Sequence, residues 1–201
     1  MTRRALALLV ALAAVLAAAG CAGGDDPGAA VPDPATRGAP VLPASIELID
    51  GARLPASRLE GRVVLVVNTA SRCGFAPQFA DLEALSAARS GDGLTVIGFP
   101  SDDFAQELDA AADIAAFCEL NYGVRFPMAA PGRVTGPGAQ PLFRAMAARG
   151  GATGREPDWN FTKYVLDRRG RLVARFPSSV GPDDPRLTGV VDRLLAEPGD
   201  V

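Results

Sequence analysis

The sequence predicts an α/β domain: a central mixed β-sheet flanked by helices, with an added N-terminal β-hairpin. Three observations carry that expectation. Val63 to Val67 is an unbroken apolar run with four β-branched residues among five, the pattern of a strand buried on both faces. Short apolar runs of this kind alternate along the chain with segments of helical spacing, such as Phe79, Leu82 and Leu85. Near the C-terminus Leu187, Val190, Val191, Leu194 and Leu195 fall at i, i+3, i+4, i+7 and i+8, one face of an amphipathic helix.

The elements follow in order. Ser45 to Ile49 alternates apolar and polar residues, and Asp50-Gly51 marks a tight turn before Arg53 and Leu54, which together read as an edge hairpin. The Val63 strand stops at Asn68-Thr69, the chain turns through Ser71 to Gly74, and a helix opens at Pro77. Proline suits that place because its missing N–H has no partner in a first helical turn. The helix runs to about Ser90; Gly91-Asp92-Gly93 breaks the chain, and Leu94 to Phe99 forms a second buried strand. Leu108 to Leu120 reads as a helix with Ile114, Phe117 and Cys118 on one face, and Pro141 to Ala148 as a short one. Tyr164 to Leu166 and Leu172 to Phe176 make a hairpin through Arg168-Arg169-Gly170, before the last helix.

Composition sets bounds on function. A chain of 201 residues that is 48% hydrophobic can build one domain with a proper core. Its net charge of −3, with no basic stripe, speaks against a nucleic-acid surface. The chain has no histidine, which excludes a Cys–His dyad, a Ser–His–Asp triad and imidazole-based metal sites. Three scattered cysteines without a C-x-x-C pair give no structural metal site, and nothing calls for a cofactor.

The N-terminus reads as a targeting segment. Arg3 and Arg4 precede an unbroken apolar stretch from Ala5 to Ala19, short for a spanning helix and right for a signal-peptide core. The following A-A-G-C-A-G-G-D-D resembles the lipobox of bacterial lipoproteins, although Ala18 stands where that pattern has leucine. The resemblance implies cleavage before Cys21 and acylation of that cysteine, hence an exported, membrane-anchored lipoprotein facing the periplasm or cell exterior. Ordinary signal cleavage nearby and an uncleaved anchor remain alternatives. Residues 1–21 are thus the signal segment and 22–43 a Gly/Pro-rich flexible tether, about twenty residues reaching at most roughly 65 Å. The folded domain is expected over 44–197.

Cys73 sits in the turn between the first buried strand and its helix. Free backbone N–H groups and the positive end of the helix dipole favour a thiolate there; the alternative is a small buried hydrophobe. The element order, a β-α-β unit followed by a β-hairpin and a final helix, resembles the thioredoxin plan. The second cysteine of that plan's C-x-x-C is absent, since the turn reads Cys73-Gly74-Phe75-Ala76.

Four motifs resemble the glutathione peroxidase family, in the family's order, over roughly Ser45 to Leu195. N-T-A-S-R-C-G-F-A-P-Q is similar to its peroxidatic motif, which makes Cys73 the peroxidatic residue. G-F-P-S-D-D-F-A-Q-E is similar to the block that supplies a catalytic glutamine, here Gln106, although the family's F-G-G-Q-E-P-G is one residue shorter in this chain. F-C-E-L-N-Y-G-V-R-F-P is similar to the helix end that carries a resolving cysteine, here Cys118. W-N-F-T-K is similar to the Trp-Asn motif, here Trp159 and Asn160, while Lys163 reads as a surface residue.

The resemblance implies a thiol peroxidase that reduces hydrogen peroxide or organic hydroperoxides and is recycled by a thioredoxin-like reductant. Lowering a thiol pKa by about 2 units takes roughly 2.7 kcal/mol. A helix dipole supplies about 0.3–1 kcal/mol and each hydrogen bond to a charged acceptor about 1.5–3, so the neutral donors Trp159, Asn160 and Gln106 would have to do most of it. Resolution by Cys118 would need its helix to unwind locally. Outside the cytoplasm glutathione is the poorer electron source. A monomer is expected. The other readings are an exported thiol–disulfide oxidoreductase and a non-catalytic thioredoxin-like lipoprotein.

Overall fold

The structure, a computed structural model, describes residues 31–198. Cys21, the signal segment and the tether up to residue 30 lie outside them.

Strand β3 (Val63–Thr69) is buried along its whole length and organises the domain. It lies between β4 (Leu94–Pro100), paired parallel, and β5 (Lys163–Leu166), paired antiparallel, while β6 (Leu172–Phe176) closes the edge in the order β4-β3-β5-β6. Alternation along β3 divides the core. Val63, Leu65 and Val67 face a layer formed by α1 (Gln78–Arg89), α2 (Ala111–Tyr122) and α4 (Pro185–Ala196). Val64 and Val66 face α3 (Pro141–Ala147) and the hairpin of β1 (Ser45–Glu47) and β2 (Arg53–Pro55). The fold is therefore the expected mixed sheet between helices, with a separate antiparallel hairpin. Cys73 and Cys118 lie on the same side of the sheet, in one core cluster.

Two details depart from the sequence reading. Helix α2 begins at Ala111 rather than Leu108, because Ala110 is extended (φ −104°, ψ 134°) and residues 108–110 form a bent lead-in. The segment assigned to the tether is docked from about Pro34 onward. The Arg37 guanidinium, almost wholly buried, pairs with Asp167 at 3.2 Å and Glu197 at 2.5 Å. Arg171 Nη1 donates to the Pro34 carbonyl, and Val41 N–H to that of Gly170. Composition pointed to a solvated strap; one long cation with two carboxylate partners far along the chain holds its second half instead. This attachment lies at the Leu166 end of β5, which pairs with the start of β3. The tether thus leaves the sheet at the end opposite Cys73.

Candidate active site

β3 delivers the chain to the site at Asn68, and the turn after Thr69 is tightly wound. Cys73 N–H donates to the Ala70 carbonyl at 3.4 Å, and Ala76 N–H to the Cys73 carbonyl at 2.9 Å. The Phe75 N–H points back to Cys73 Sγ at 3.5 Å. Pro77 then caps α1, whose first N–H groups are already taken: Gln78 donates to the Phe75 carbonyl, Phe79 to that of Ala76 and Ala80 to that of Pro77. Cys73 is 5% exposed.

Two distant segments are bonded to this turn. The Gln106 carbonyl accepts from Arg72 N–H at 2.8 Å, and Glu107 Oε1 from Ser71 N–H at 2.8 Å. Asn68 clamps the other segment. Its Nδ2 donates to the Trp159 carbonyl, its Oδ1 accepts from Thr162 N–H and its carbonyl from Phe161 N–H. The two segments meet where Asn160 Nδ2 donates to Gln106 Oε1 at 3.0 Å. Trp159 is 42% exposed and leans on Phe104, ring centroids 5.3 Å apart. The structure thus brings Gln106, Trp159 and Asn160 to the Cys73 turn, but among the described residues Sγ takes its hydrogen bond from Phe75 N–H and not from those side chains.

The backbone is held in unusual conformations on both sides. Ala105, before Gln106, has φ 55°, and Phe161, after Asn160, has φ 62°. Left-handed non-glycine residues cost about 1–3 kcal/mol and collect at functional sites. Among the described residues, buried side-chain oxygens without a partner are Thr69 Oγ1, Ser71 Oγ, Glu107 Oε2 and Asn160 Oδ1, all in these segments. The remaining unpartnered buried side-chain atoms are arginine nitrogens elsewhere.

Sequence reasoning missed two residues here. Lys163, read as a surface residue, is fully buried. Its Nζ donates to Gln78 Oε1 and to the carbonyls of Ser178 and Val180. Ser178 Oγ donates in turn to the Asn160 carbonyl at 2.6 Å, so the lysine supports the Asn160 loop from beneath. Glu107 is the other: 4% exposed, with one oxygen bonded to Ser71 N–H and Leu108 N–H. The apolar pattern foretold neither; each is the last residue of a family-like motif, and that was the available signal. Cys118 is buried as a free thiol on α2. Burial pushes it up to about 12, and the Glu107 charge adds to the rise.

A free thiol in the turn between a central strand and its helix defines a thioredoxin-fold thiol protein. Solved structures share the architecture: a DsbF homologue from Corynebacterium diphtheriae aligns over 82% of this chain and 92% of its own, with a TM-score of 0.59 at 22% identity. The GPX1 of T. cruzi aligns over 75% of this chain and 93% of its own, with a TM-score of 0.59 at 27% identity. The sequence model described as Glutathione peroxidase matches residues 42–147. The hydroperoxy fatty acid reductase gpx1 of Synechocystis sp. is 40% identical over 161 residues, 75% of this chain and 93% of that protein. The glutathione peroxidase-like peroxiredoxin HYR1 of Saccharomyces cerevisiae is 39% identical over 150 residues, 73% and 91% of the two chains. The chain belongs to the glutathione peroxidase family.

Proposed function

We propose that the protein is a hydroperoxide reductase in which Cys73 is the peroxidatic residue, recycled through Cys118 by a thioredoxin-like reductant. The observation that carries the reading is the meeting of Gln106 and Asn160 on the Cys73 turn, in a chain whose relatives carry names of hydroperoxide reductases and peroxiredoxins. The Cys73 thiolate attacks the outer oxygen of the substrate, the O–O bond breaks, and water or an alcohol leaves as the sulfur becomes a sulfenic acid. The Asn160 and Gln106 amides and the Trp159 indole N–H are the donors available to steady the departing oxygen. Loss of one such donor costs on the order of 10²–10³ in rate.

Cys118 then attacks the sulfenic acid. A disulfide needs Cα atoms about 4.4–6.8 Å apart, and Cys118 is enclosed in α2, so that helix must loosen first. Its outward side carries Ala112, Ala116 and the exposed Leu120 and gives up little burial on unwinding. The sequence of residues 1–43 supports an exported enzyme anchored through a lipid on Cys21, with the tether fixed at the far end of the sheet from Cys73. In that oxidising setting a thioredoxin-like donor suits the disulfide better than glutathione does. A single chain holds every residue named, in keeping with a monomer.

The test is recycling. Cys118→Ser is expected to reduce one charge of hydroperoxide and then stall with thioredoxin and its reductase, while wild type continues. Sustained thioredoxin-driven turnover by Cys118→Ser would overturn the role given to Cys118.

A further inference from the structure

We infer that Glu107 is the proton acceptor for Cys118 in the resolving step and passes that proton to the oxygen leaving Cys73. The inference rests on the proposed role of Cys118 and adds to it a group that sequence motifs did not single out.

Resolution needs a base. The Cys118 thiol, kept protonated by burial while α2 is closed, must lose its proton to attack once the helix loosens. The chain contains no histidine. Glu107 is a buried carboxylate at the junction of the two reacting segments. One of its oxygens, Oε1, accepts from Ser71 N–H at 2.8 Å, two residues before Cys73, and from Leu108 N–H at 2.9 Å, at the entry to α2. The carboxylate is thus bonded to the turn that carries Cys73, and its charge already acts on the Cys118 thiol. The second oxygen, Oε2, is buried without a hydrogen-bond partner and is free to take a proton. Burial also raises the Glu107 carboxyl above the usual glutamic range, which brings it nearer the working pH and makes it a better base. The Ser71 hydroxyl helps hold the charge without meeting hydrogen-bond geometry.

The step balances. Cys118 Sγ forms an S–S bond with Cys73 Sγ as the Cys73 S–O bond breaks. The sulfenic sulfur is reduced and the thiol sulfur oxidised. The Cys118 proton moves to Glu107 Oε2, and the protonated carboxyl gives a proton to the departing hydroxide, which leaves as water. No outside oxidant or reductant enters.

The charged neighbours are few. Asp102 accepts from Glu107 N–H and adds negative charge, and Arg72 Nη1 donates to the Glu107 carbonyl. Asp103, Asp109 and Arg133 line the adjoining surface cleft. Despite its burial, Asp103 is held below the usual carboxylate range by Val134, Thr135 and Arg133 and stays charged.

The experiment follows the sulfenic acid after one charge of hydrogen peroxide on the reduced full chain, from pH 5 to 8, with a sulfenic-acid-selective probe. A base predicts that Glu107→Gln slows sulfenic-acid decay by roughly 10²–10⁴-fold and abolishes the fall in decay rate at low pH. A purely electrostatic role predicts the reverse, because removing the negative charge eases Cys118 ionisation; decay as fast as wild type or faster overturns the inference. Glu107→Asp keeps the carboxylate and is expected to keep the low-pH limb at a shifted position. If Glu107→Gln fails to fold, that shift decides alone, and an unmoved limb overturns the inference. Cys118→Ser separates the two claims. Decay at the wild-type rate in that variant removes Cys118 from the mechanism; slow decay there with fast decay in Glu107→Gln removes only Glu107.

Discussion

Lys163 gives the sharpest test of how the site is supported. Its amine is fully buried among Gln78, Ser178 and Val180, with no carboxylate among its partners. Desolvation pushes it down to about 7 from an ordinary 10.5. The native protein therefore sheds this proton near neutrality, whereas the unfolded chain keeps it to about pH 10.5. Between those values the unfolded state binds more protons, so stability rises with pH and is lost as pH falls through about 7. A full proton corresponds to about 1.4 kcal/mol per pH unit, and the onset near 7 leaves about 2 kcal/mol between pH 7 and 9. Lys163→Met supplies the baseline. Cys118 acts in the opposite sense above about pH 8.5, where an unfolded thiol ionises and the native one does not, but both proteins share that contribution. The absence of histidine keeps the range otherwise quiet. Urea unfolding at pH 6, 7, 8 and 9 should show wild type gaining about 2 kcal/mol on Lys163→Met between pH 7 and 9. A difference that stays constant across the series would refute the reasoning.

Three further outcomes are expected. Ala105→Gly relieves a left-handed φ of 55° and should stabilise the protein by about 1 kcal/mol, seen as a rise of roughly 2–4 °C in Tm; a fall would mean Ala105 is unstrained. Arg37→Met removes the buried guanidinium that bridges Asp167 and Glu197, while Asp167 keeps its ion pair with Arg171 at 2.7 Å, and should cost about 1.5–3 kcal/mol, read by urea unfolding, with faster proteolysis before residue 44; an unchanged midpoint would show that the strap bears no load. In the reduced native protein, iodoacetamide should label Cys73 well before Cys118, which is buried and held up to about 12. Peptide mapping checks this, and equal labelling would contradict the enclosed position of Cys118.

The sheet was legible because its pattern is local. Val63 to Val67 declares a doubly buried strand by composition alone, and α4 declares its inner face by spacing. Cys73, Gln106, Trp159, Asn160 and Cys118 were legible through short motifs. What stayed hidden depends on partners far away in sequence. Arg37 sits in a stretch of small residues and finds Asp167 130 positions later. Lys163 looks like the polar end of a strand until the Ser178–Val180 turn covers it. Glu107 follows a bend in which Ala105 adopts a left-handed conformation that no apolar periodicity announces. The start of α2 was misplaced for a related reason: Leu108 fits the helical spacing, but its N–H is taken by the Glu107 carboxylate.

The most direct measurement is hydroperoxide consumption by the reduced protein with no added reductant, compared with Cys73→Ser. The account predicts a rapid burst stoichiometric with wild-type protein and none from Cys73→Ser. An undiminished burst from Cys73→Ser, or no burst from wild type, would contradict it.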